Sequence, residues 1–158
     1  MLCPHARSPW SDANSISTRP DGWHRAHLCA IEEVIPVIES LAAVMSAQGY
    51  AHEDDFGVLL ALEQALVNAI KHGHHYDLTK RVSVRYRVSR THTLVEVRDQ
   101  GPGFDPAAVP DPTAPENRER PSGRGLLLVR KYTSRLLHKR RGNGVRLCKY
   151  AYRLLSQD

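Results

Sequence analysis

The first half of the chain contains two stretches in which apolar positions recur at helical spacing. The first, residues 31–48, stops at Gly49 and has apolar side chains at Ile31, Val34, Ile35, Ile38, Leu41, Val44 and Met45. The second, residues 52–72, has a single apolar stripe formed by Leu59, Leu62, Leu66, Ala69 and Ile70. Asp54 or Asp55 is expected to cap the second helix, and Gly73 to end it. Two amphipathic helices are therefore predicted.

Alternation of apolar and polar residues predicts antiparallel strands beside these helices. Residues 82–88 and 93–99 alternate and are expected to pair around residues 89–92, and residues 24–30 suggest a shorter strand. After a loop with six prolines at residues 100–121, helical spacing returns at residues 125–137. A strand near residues 136–141 then turns at residues 141–144 into a final strand at residues 145–153. This order predicts helices packed on one face of a sheet.

The composition fits one globular domain. The chain has 158 residues, of which 41% are hydrophobic and 25% charged, enough for one core. Residues 1–22 lack periodicity and are predicted to be a disordered leader, which leaves residues 23–155 as the domain. No apolar run approaches the roughly 20 residues that cross a bilayer, and the N-terminus lacks the apolar segment of a secretory signal. A cytoplasmic protein with no membrane association and with reduced thiols is expected.

The formal charge of +5 is unevenly distributed. Residues 118–158 carry twelve Lys or Arg and two Asp or Glu, so the rest of the chain is net acidic. A basic C-terminal third attracts polyanions such as nucleic acid, nucleotide phosphates or an acidic protein face. Nucleic-acid binding through Lys139, Arg140 and Arg141 is not favoured, because no aromatic residues are interleaved there to stack on bases.

Three segments carry candidate chemistry: EQALVNAIKHG at residues 63–73, DQGPGF at residues 99–104 and SGRGL at residues 122–126. The glycines at the strand end let the backbone approach a ligand closely. The Gly-Arg-Gly run before a helix offers free N–H groups and a guanidinium to a phosphate. Asn68 offers a neutral oxygen to Mg²⁺ already held by phosphates. Asp99 can accept a hydrogen bond from an exocyclic amine such as that of adenine.

Each segment alone has an ordinary structural explanation. DQGPGF is a turn sequence, SGRG is a helix start, and an asparagine on a helix is commonly a solvated amide. The Walker sequence GxxxxGK[ST] is absent, so that mode of nucleotide binding is not supported. His72, His74 and His75 lack a Cys or acidic partner at ligand spacing, so phosphate-edge and loop roles are preferred over a metal site.

Together and in this order, the segments resemble the N, G1 and G2 boxes of the GHKL (histidine kinase-like) ATPases, which include gyrase, Hsp90, histidine kinases and MutL. The resemblance covers residues 25–153. The compact size, the lack of a phospho-acceptor histidine domain and the lid at about residues 105–121 are most similar to the anti-sigma-factor serine/threonine kinases. The resemblance implies an α/β fold, a two-layer sandwich of the Bergerat type with helices on one face of a mixed, largely antiparallel sheet.

The resemblance also implies roles for individual residues, with ATP and Mg²⁺ as cofactors. Asn68 would coordinate Mg²⁺, Asp99 would recognise adenine, and Gly101 and Gly103 would shape the base pocket. Lys71 and His72 match positions that face phosphate. The phosphates would be held by Gly123, Arg124, Gly125 and Leu126.

One departure concerns catalysis. Relatives carry a catalytic glutamate four residues before the N-box asparagine, and here that position is Gln64. An amide cannot take a proton from an attacking hydroxyl, and losing a general base typically costs about 10²–10⁴-fold in rate. Glu63 lies one residue earlier, about 100° round the helix, and either replaces the base after a rearrangement or is a structural carboxylate. A second departure is Ser134, where relatives often carry an acidic residue.

Two functions therefore stay open. The first is an ATP-binding anti-sigma regulatory protein, a serine kinase whose partners are a sigma factor and a STAS-type anti-sigma-factor antagonist. The second is a catalytically impaired, nucleotide-dependent protein-binding module that uses the same pocket. Gln64 favours the second function and the resemblance favours the first. Homodimerisation is possible, because relatives often dimerise.

Overall fold

The described part of the molecule contains six strands, two complete helices and a further helical segment at residues 129–132. The structure is a computed structural model, and it describes residues 16–18, 20–103, 105, 129–138 and 142–151. The helices are α1 (Val34–Ala47) and α2 (His52–Asn68). A short 3₁₀ turn at Ile31–Glu33 precedes α1, and a π-helical turn at Ala69–Gly73 follows α2. The strands are β1 (Ser17–Thr18), β2 (His24–Leu28), β3 (Val82–Val88), β4 (His92–Arg98), β5 (Arg135–His138) and β6 (Gly144–Tyr150).

The strands form one sheet in the order β1-β2-β3-β4-β6-β5, and every pair of neighbours is antiparallel. The register places Tyr86 opposite Val95, and Val95 opposite Leu147, in one row across the sheet. All three side chains are buried, because alternate residues of a strand point to the same face. The helices pack on that face, so the molecule is the predicted two-layer α/β sandwich.

The core between the layers explains why these segments are helical. Helix α1 buries Val34, Val37, Leu41 and Met45, which recur every three or four residues. Pro36 lies in its first turn, where a missing backbone N–H costs nothing, because that N–H has no partner in any helix. The centre of α2 buries Val58, Ala61, Leu62, Ala65 and Leu66. The polar positions of α2 are thereby left at the edge of the core.

One hydrogen bond joins α1 to the sheet through the core. The Tyr86 side chain is fully buried, and its hydroxyl lies 2.6 Å from Ser40 Oγ of α1. A buried hydroxyl needs such a partner, because leaving it unpaired costs about 1–3 kcal/mol. Burial also raises the pKa of the Tyr86 phenol. This contact fixes α1 over β3.

One predicted helix end and one predicted helix cap are wrong, and at the helix end a longer-range contact overrides the local pattern. Residues 129–132 are helical, but Arg135–His138 form β5 instead of continuing the predicted helix at residues 125–137. Pairing with β6 begins at Ser134, whose N–H donates to Cys148 O (2.8 Å). Helix α2 begins at His52 with Ala51 as the N-cap, so neither Asp54 nor Asp55 caps it. Both lie in the first turns, where a negative charge favours the helix dipole.

The sheet begins inside the segment predicted as a leader. Strand β1 pairs Ser17 with Arg25, and Thr18 Oγ1 lies 3.0 Å from His24 Nδ1. A two-residue strand has no periodicity, so no pattern could indicate it. None of the helices described is both long enough and apolar enough to span a bilayer.

Candidate functional site

Four of the predicted site residues lie on the polar face of α2 and on the π-helical turn that follows it. Gln64 and Asn68 are one turn apart and half-buried, and Lys71 and His72 follow on the π-helical turn with exposed side chains. These residues therefore lie along one side of the helix, away from its buried stripe. Glu63 is also half-buried, and no described residue forms an ion pair with it.

The π-helical turn ends α2 and turns the chain towards the sheet. In this turn the His74 N–H donates to Ala69 O (3.0 Å), one residue further back than in an α-helix. The next two residues, His75 and Tyr76, have positive φ values of 51° and 60°, which side chains adopt at a cost. Single π turns often occur at functional sites. Here the turn places Gly73 against the end of β4.

Gly73 and Gly101 make the contact between helix and strand possible. A Cβ atom at Gly73 would lie 2.6 Å from Asp99 Cγ, and a Cβ at Gly101 would lie 2.2 Å from Gly73 O. No side chain fits at either distance, so the two glycines allow α2 and the segment after β4 to touch through their backbones. The sequence motif Asp99-Gln-Gly101 is thus shaped by the end of α2 as well as by its own turn.

The Asp99 carboxylate is held in place on two sides. Its Oδ1 accepts a hydrogen bond from Gly101 N–H (2.7 Å), and its backbone N–H donates to Asn143 O (3.0 Å) in the turn before β6. Burial raises the pKa of Asp99 above its ordinary value, although the Gly101 N–H and the nearby His74 act in the opposite direction. A fixed, partly desolvated carboxyl oxygen of this kind suits recognition of a specific donor.

His74 supports the same loop from the inside of the domain. Its side chain is fully buried, and its Nε2 accepts a hydrogen bond from Gln100 N–H (2.9 Å). This contact requires the neutral ring, and burial accordingly lowers the pKa of His74. The Gln100 side chain is also held, because its Oε1 accepts from Arg81 N–H (2.7 Å). Of the two roles predicted for the histidines, His74 thus has the loop role, because it lies behind the Asp99 loop.

The three candidate segments are described to different extents. Gly103 follows the Asp99 turn with a φ of 82°, a conformation that favours glycine. Gly123, Arg124, Gly125 and Leu126 lie outside the described residues, as does the lid beyond Asp105. The structure therefore brings together the first two segments, while the third stays a prediction. Among the described residues, no group of three His, Cys, Asp or Glu side chains is arranged to hold a metal ion.

Sequence reasoning missed the hydrogen bonds that hold Gln100 and the second role of Gly73. Gln100 had the pattern of a loop residue, and nothing in its local sequence indicated that His74 and Arg81 would hold it. Gly73 was predicted only as a helix stop, although it also makes room for Asp99. The position of Gly73 directly after a polar helix face was an available indication, because a close backbone approach commonly needs glycine.

The arrangement fits a nucleotide. An acceptor fixed at the end of a strand, two glycines without room for a Cβ and a polar helix face provide a base-recognition point next to ligands for a hard cation. The half-buried oxygen of Asn68 is of the kind that Mg²⁺ accepts alongside phosphate oxygens. Gln64 cannot act as a general base, since a neutral amide has no basic site at neutral pH.

Comparisons with known proteins agree with this geometry. The family profile of the histidine kinase-like ATPase domain matches residues 29–149. The chain is similar to the serine-protein kinase RsbW of Bacillus licheniformis, with 35% identity over 66 residues, 42% of this chain and 41% of that protein. For the serine-protein kinase RsbW of Bacillus subtilis (strain 168) the identity is 32% over 66 residues, again 42% and 41%. The matches span about two fifths of these curated relatives.

The fold is also similar to a solved structure. The crystal structure of the RsbU and RsbW domains of Rv1364c from Mycobacterium tuberculosis superposes with a TM-score of 0.51 and 17% sequence identity. The superposition covers 80% of this chain and 32% of that chain. At this level of identity the similarity shows the fold alone.

Proposed function

Because this chain belongs to the histidine kinase-like ATPase domain family, we propose that it is an ATP-binding anti-sigma regulatory protein of the cytoplasm. In this proposal it is a serine kinase of an anti-sigma-factor antagonist and acts in a partner-switching pathway. Its partners are a sigma factor and a STAS-type antagonist, with a homodimer as the possible assembly. The similarity to two RsbW serine-protein kinases supports the kinase class.

The observation that carries nucleotide binding is the Asp99 carboxylate, fixed by Gly101 N–H against the end of α2. In the proposed site, the Asp99 carboxylate accepts a hydrogen bond from the exocyclic amine of adenine, and Gly101 and Gly103 leave room for the base. Asn68 supplies an oxygen to Mg²⁺, and Lys71 and His72 face the phosphates. Gly123, Arg124, Gly125 and Leu126 complete the phosphate site. Bound ATP·Mg²⁺ supplies the transferable phosphoryl group and neutralises charge on it.

Gln64 supports a second candidate function. Its amide cannot remove a proton from a serine hydroxyl, so base catalysis from this position fails. Glu63 is one position away on the half-buried side of α2 and is the nearest carboxylate along the helix. If Glu63 does not replace the base, the chain is a nucleotide-dependent protein-binding module without phosphotransfer.

The first test is calorimetric titration of the protein with ATP and Mg²⁺. We expect saturable binding by the wild type and its loss in Asp99→Asn, because the Gly101 N–H would keep the amide oxygen and leave the NH₂ donor facing the adenine amine. Glu39→Gln is the matched control, since Glu39 is an exposed carboxylate on α1 far along the chain from the site. No binding by the wild type, or equal binding by Asp99→Asn, contradicts the proposed pocket.

The second test separates the two functions. Phosphotransfer to a serine of a STAS-type protein is measured for the wild type, Gln64→Glu and Glu63→Gln, with ATP affinity measured in parallel. For the kinase, the wild type is active and Glu63→Gln lowers the rate by about 10²–10⁴-fold. An inactive wild type that Gln64→Glu activates supports the binding module.

A further inference from the structure

The face of the sheet opposite the helices carries an unusual concentration of arginine. The register places six arginines on it: Arg25, Arg85, Arg87, Arg98, Arg135 and Arg146. Among the described strand residues of this outer face, Glu96 is the one carboxylate, and Asp21 lies at its edge near Arg25 (3.8 Å). The outer face is therefore strongly positive, and in the described part of the chain no helix covers it.

Two anchors hold several of these arginines in place. Glu96 is nearly buried and pairs with Arg146 on one side and with Arg85 Nε (2.5 Å) on the other, so it links three strands. The Trp23 ring lies under two guanidinium groups, 4.7 Å from Arg85 and 5.4 Å from Arg87. Charges that are already ordered lose less side-chain entropy when a partner binds. Arg85, Arg87 and Arg146, three of the six arginines, are thus held in place before a partner binds.

The outer face also has an apolar groove at the β4-β6-β5 end. The groove has a volume of about 310 Å³, and its lining includes Leu94, Leu137 and Tyr150 between Arg135 and Arg146. Leu137 is 60% exposed, which is high for a leucine on a strand. An exposed apolar position next to fixed cations is a common form of protein-binding surface.

This combination favours an acidic polypeptide over two other occupants. Single-stranded nucleic acid needs aromatic platforms in series along the strand. The two rings of the groove, His92 and Tyr150, instead lie edge to face, with centroids 6.4 Å apart, beside leucines that cannot stack on bases. A second copy packed face to face would place six arginines against six, and such like-charge contact is costly. Carboxylates with an apolar anchor between them satisfy both the arginines and the leucines.

From these observations we propose that the outer face docks an acidic, amphipathic segment of a partner protein, with an apolar side chain in the groove. The surface is separate from the nucleotide site, which lies at the end of α2, so docking does not depend on the proposed ATP binding. Crossing four strand spacings of about 4.8 Å needs about six extended residues. A segment of about a dozen residues therefore covers the face with flanks on both sides.

Fluorescence anisotropy with synthetic peptides tests the proposal. The probe is a labelled peptide of about 12 residues that contains Glu with interspersed Leu, compared with a Gln/Leu version and an all-Glu version. We expect the Glu/Leu peptide to bind most tightly. Arg135→Glu should weaken its binding about tenfold, and Leu137→Gln should reduce its advantage over the all-Glu peptide. Hydrogen exchange should slow in β5 and β6, and not in α2.

The matched control is Arg90→Glu, the same charge change in the β3–β4 turn, off the outer face. Equal weakening by Arg90→Glu and Arg135→Glu overturns the proposal, because binding would then follow net charge alone. Tighter binding of a uridine oligonucleotide than of the Glu/Leu peptide assigns the face to RNA. A dimer that Arg135→Glu converts to monomers assigns it to a second copy. ATP titration of each variant shows separately whether the nucleotide site is intact.

Discussion

At the residue scale, the geometry of the proposed nucleotide site depends on two missing side chains. The backbone oxygen of Gly73 and the carboxylate of Asp99 occupy the space that a Cβ would take at Gly101 and Gly73. Neither position depends on the flexibility of glycine, because neither has a positive φ. What matters at both positions is the missing side chain.

Gly101→Ala is therefore expected to remove ATP binding. The added Cβ meets a backbone oxygen at 2.2 Å, so the Asp99 loop must move, at a cost of about 1–3 kcal/mol in stability. Gly49→Ala is the control, because it strains a left-handed φ of 77° at the end of α1 but has no atom within 4 Å. It should lower the free energy of unfolding by about 1–2 kcal/mol and keep ATP affinity. Wild-type affinity in Gly101→Ala would contradict the assignment.

The lowered pKa of His74 is expected to make the free energy of unfolding depend on pH. Its pKa is lower in the folded protein than in the unfolded chain, so the unfolded chain binds the proton first as pH falls. Stability should decline below about pH 6.5, the ordinary histidine value, until the folded-state pKa is reached. His74→Gln keeps an acceptor for Gln100 N–H without titrating, so its urea denaturation should show a smaller decline than the wild type. Identical pH profiles would show that His74 does not contribute.

At the level of elements, the contact of α1 with β3 includes one buried polar pair in addition to apolar packing. Ser40→Ala leaves the fully buried Tyr86 hydroxyl without its partner and is expected to cost about 1–3 kcal/mol. Tyr86→Phe removes that hydroxyl and leaves a half-buried serine that water can reach, so it should cost less. Urea denaturation of both variants measures the difference. The reverse order of stability would mean that the hydroxyl has another partner.

The sequence predicted elements well where their periodicity was long. Strand β3 matches the predicted residues 82–88, and β4 differs by one residue at each end. At β5 the predicted strand starts within one residue of the observed one, but the preceding helix was extended to residue 137. Leu136 and Leu137 continue a helical spacing, whereas pairing with β6 selects an extended chain. Local patterns contain no information on such a distant partner, and for the same reason they could not show that His74 holds Gln100.

The candidate site was predictable only in part. Asp99 and Gly101 follow from the motif, and the structure places them against the end of α2. The pattern of apolar residues gave the core face of the sheet and carried no prediction about the outer face. Its six arginines come from five separated stretches of sequence and gather only through the strand order β2-β3-β4-β6-β5.

For the whole molecule, ATP·Mg²⁺ should stabilise the folded state, because the proposed pocket requires the contact between the end of α2 and β4. At a free concentration of about 100 times Kd, the gain is about 2.7 kcal/mol. Differential scanning fluorimetry should show a rise of several degrees in Tm, since about 1 kcal/mol shifts a domain of this size by about 2–4 °C. Asp99→Asn should show no rise. A shift in Asp99→Asn equal to that of the wild type would place the ligand elsewhere.

The backbone contact between Gly73 and Gly101 also makes apparent affinity a measure of docked population. Molecules in which the end of α2 has separated from β4 have no pocket, and the apparent Kd is the intrinsic Kd divided by the competent fraction. A substitution in the core that leaves only a tenth of the molecules docked would weaken measured binding about tenfold, without touching any ligand. Weak binding by a variant therefore identifies a residue that contacts the ligand only after the fraction of molecules with α2 docked on β4 has been measured.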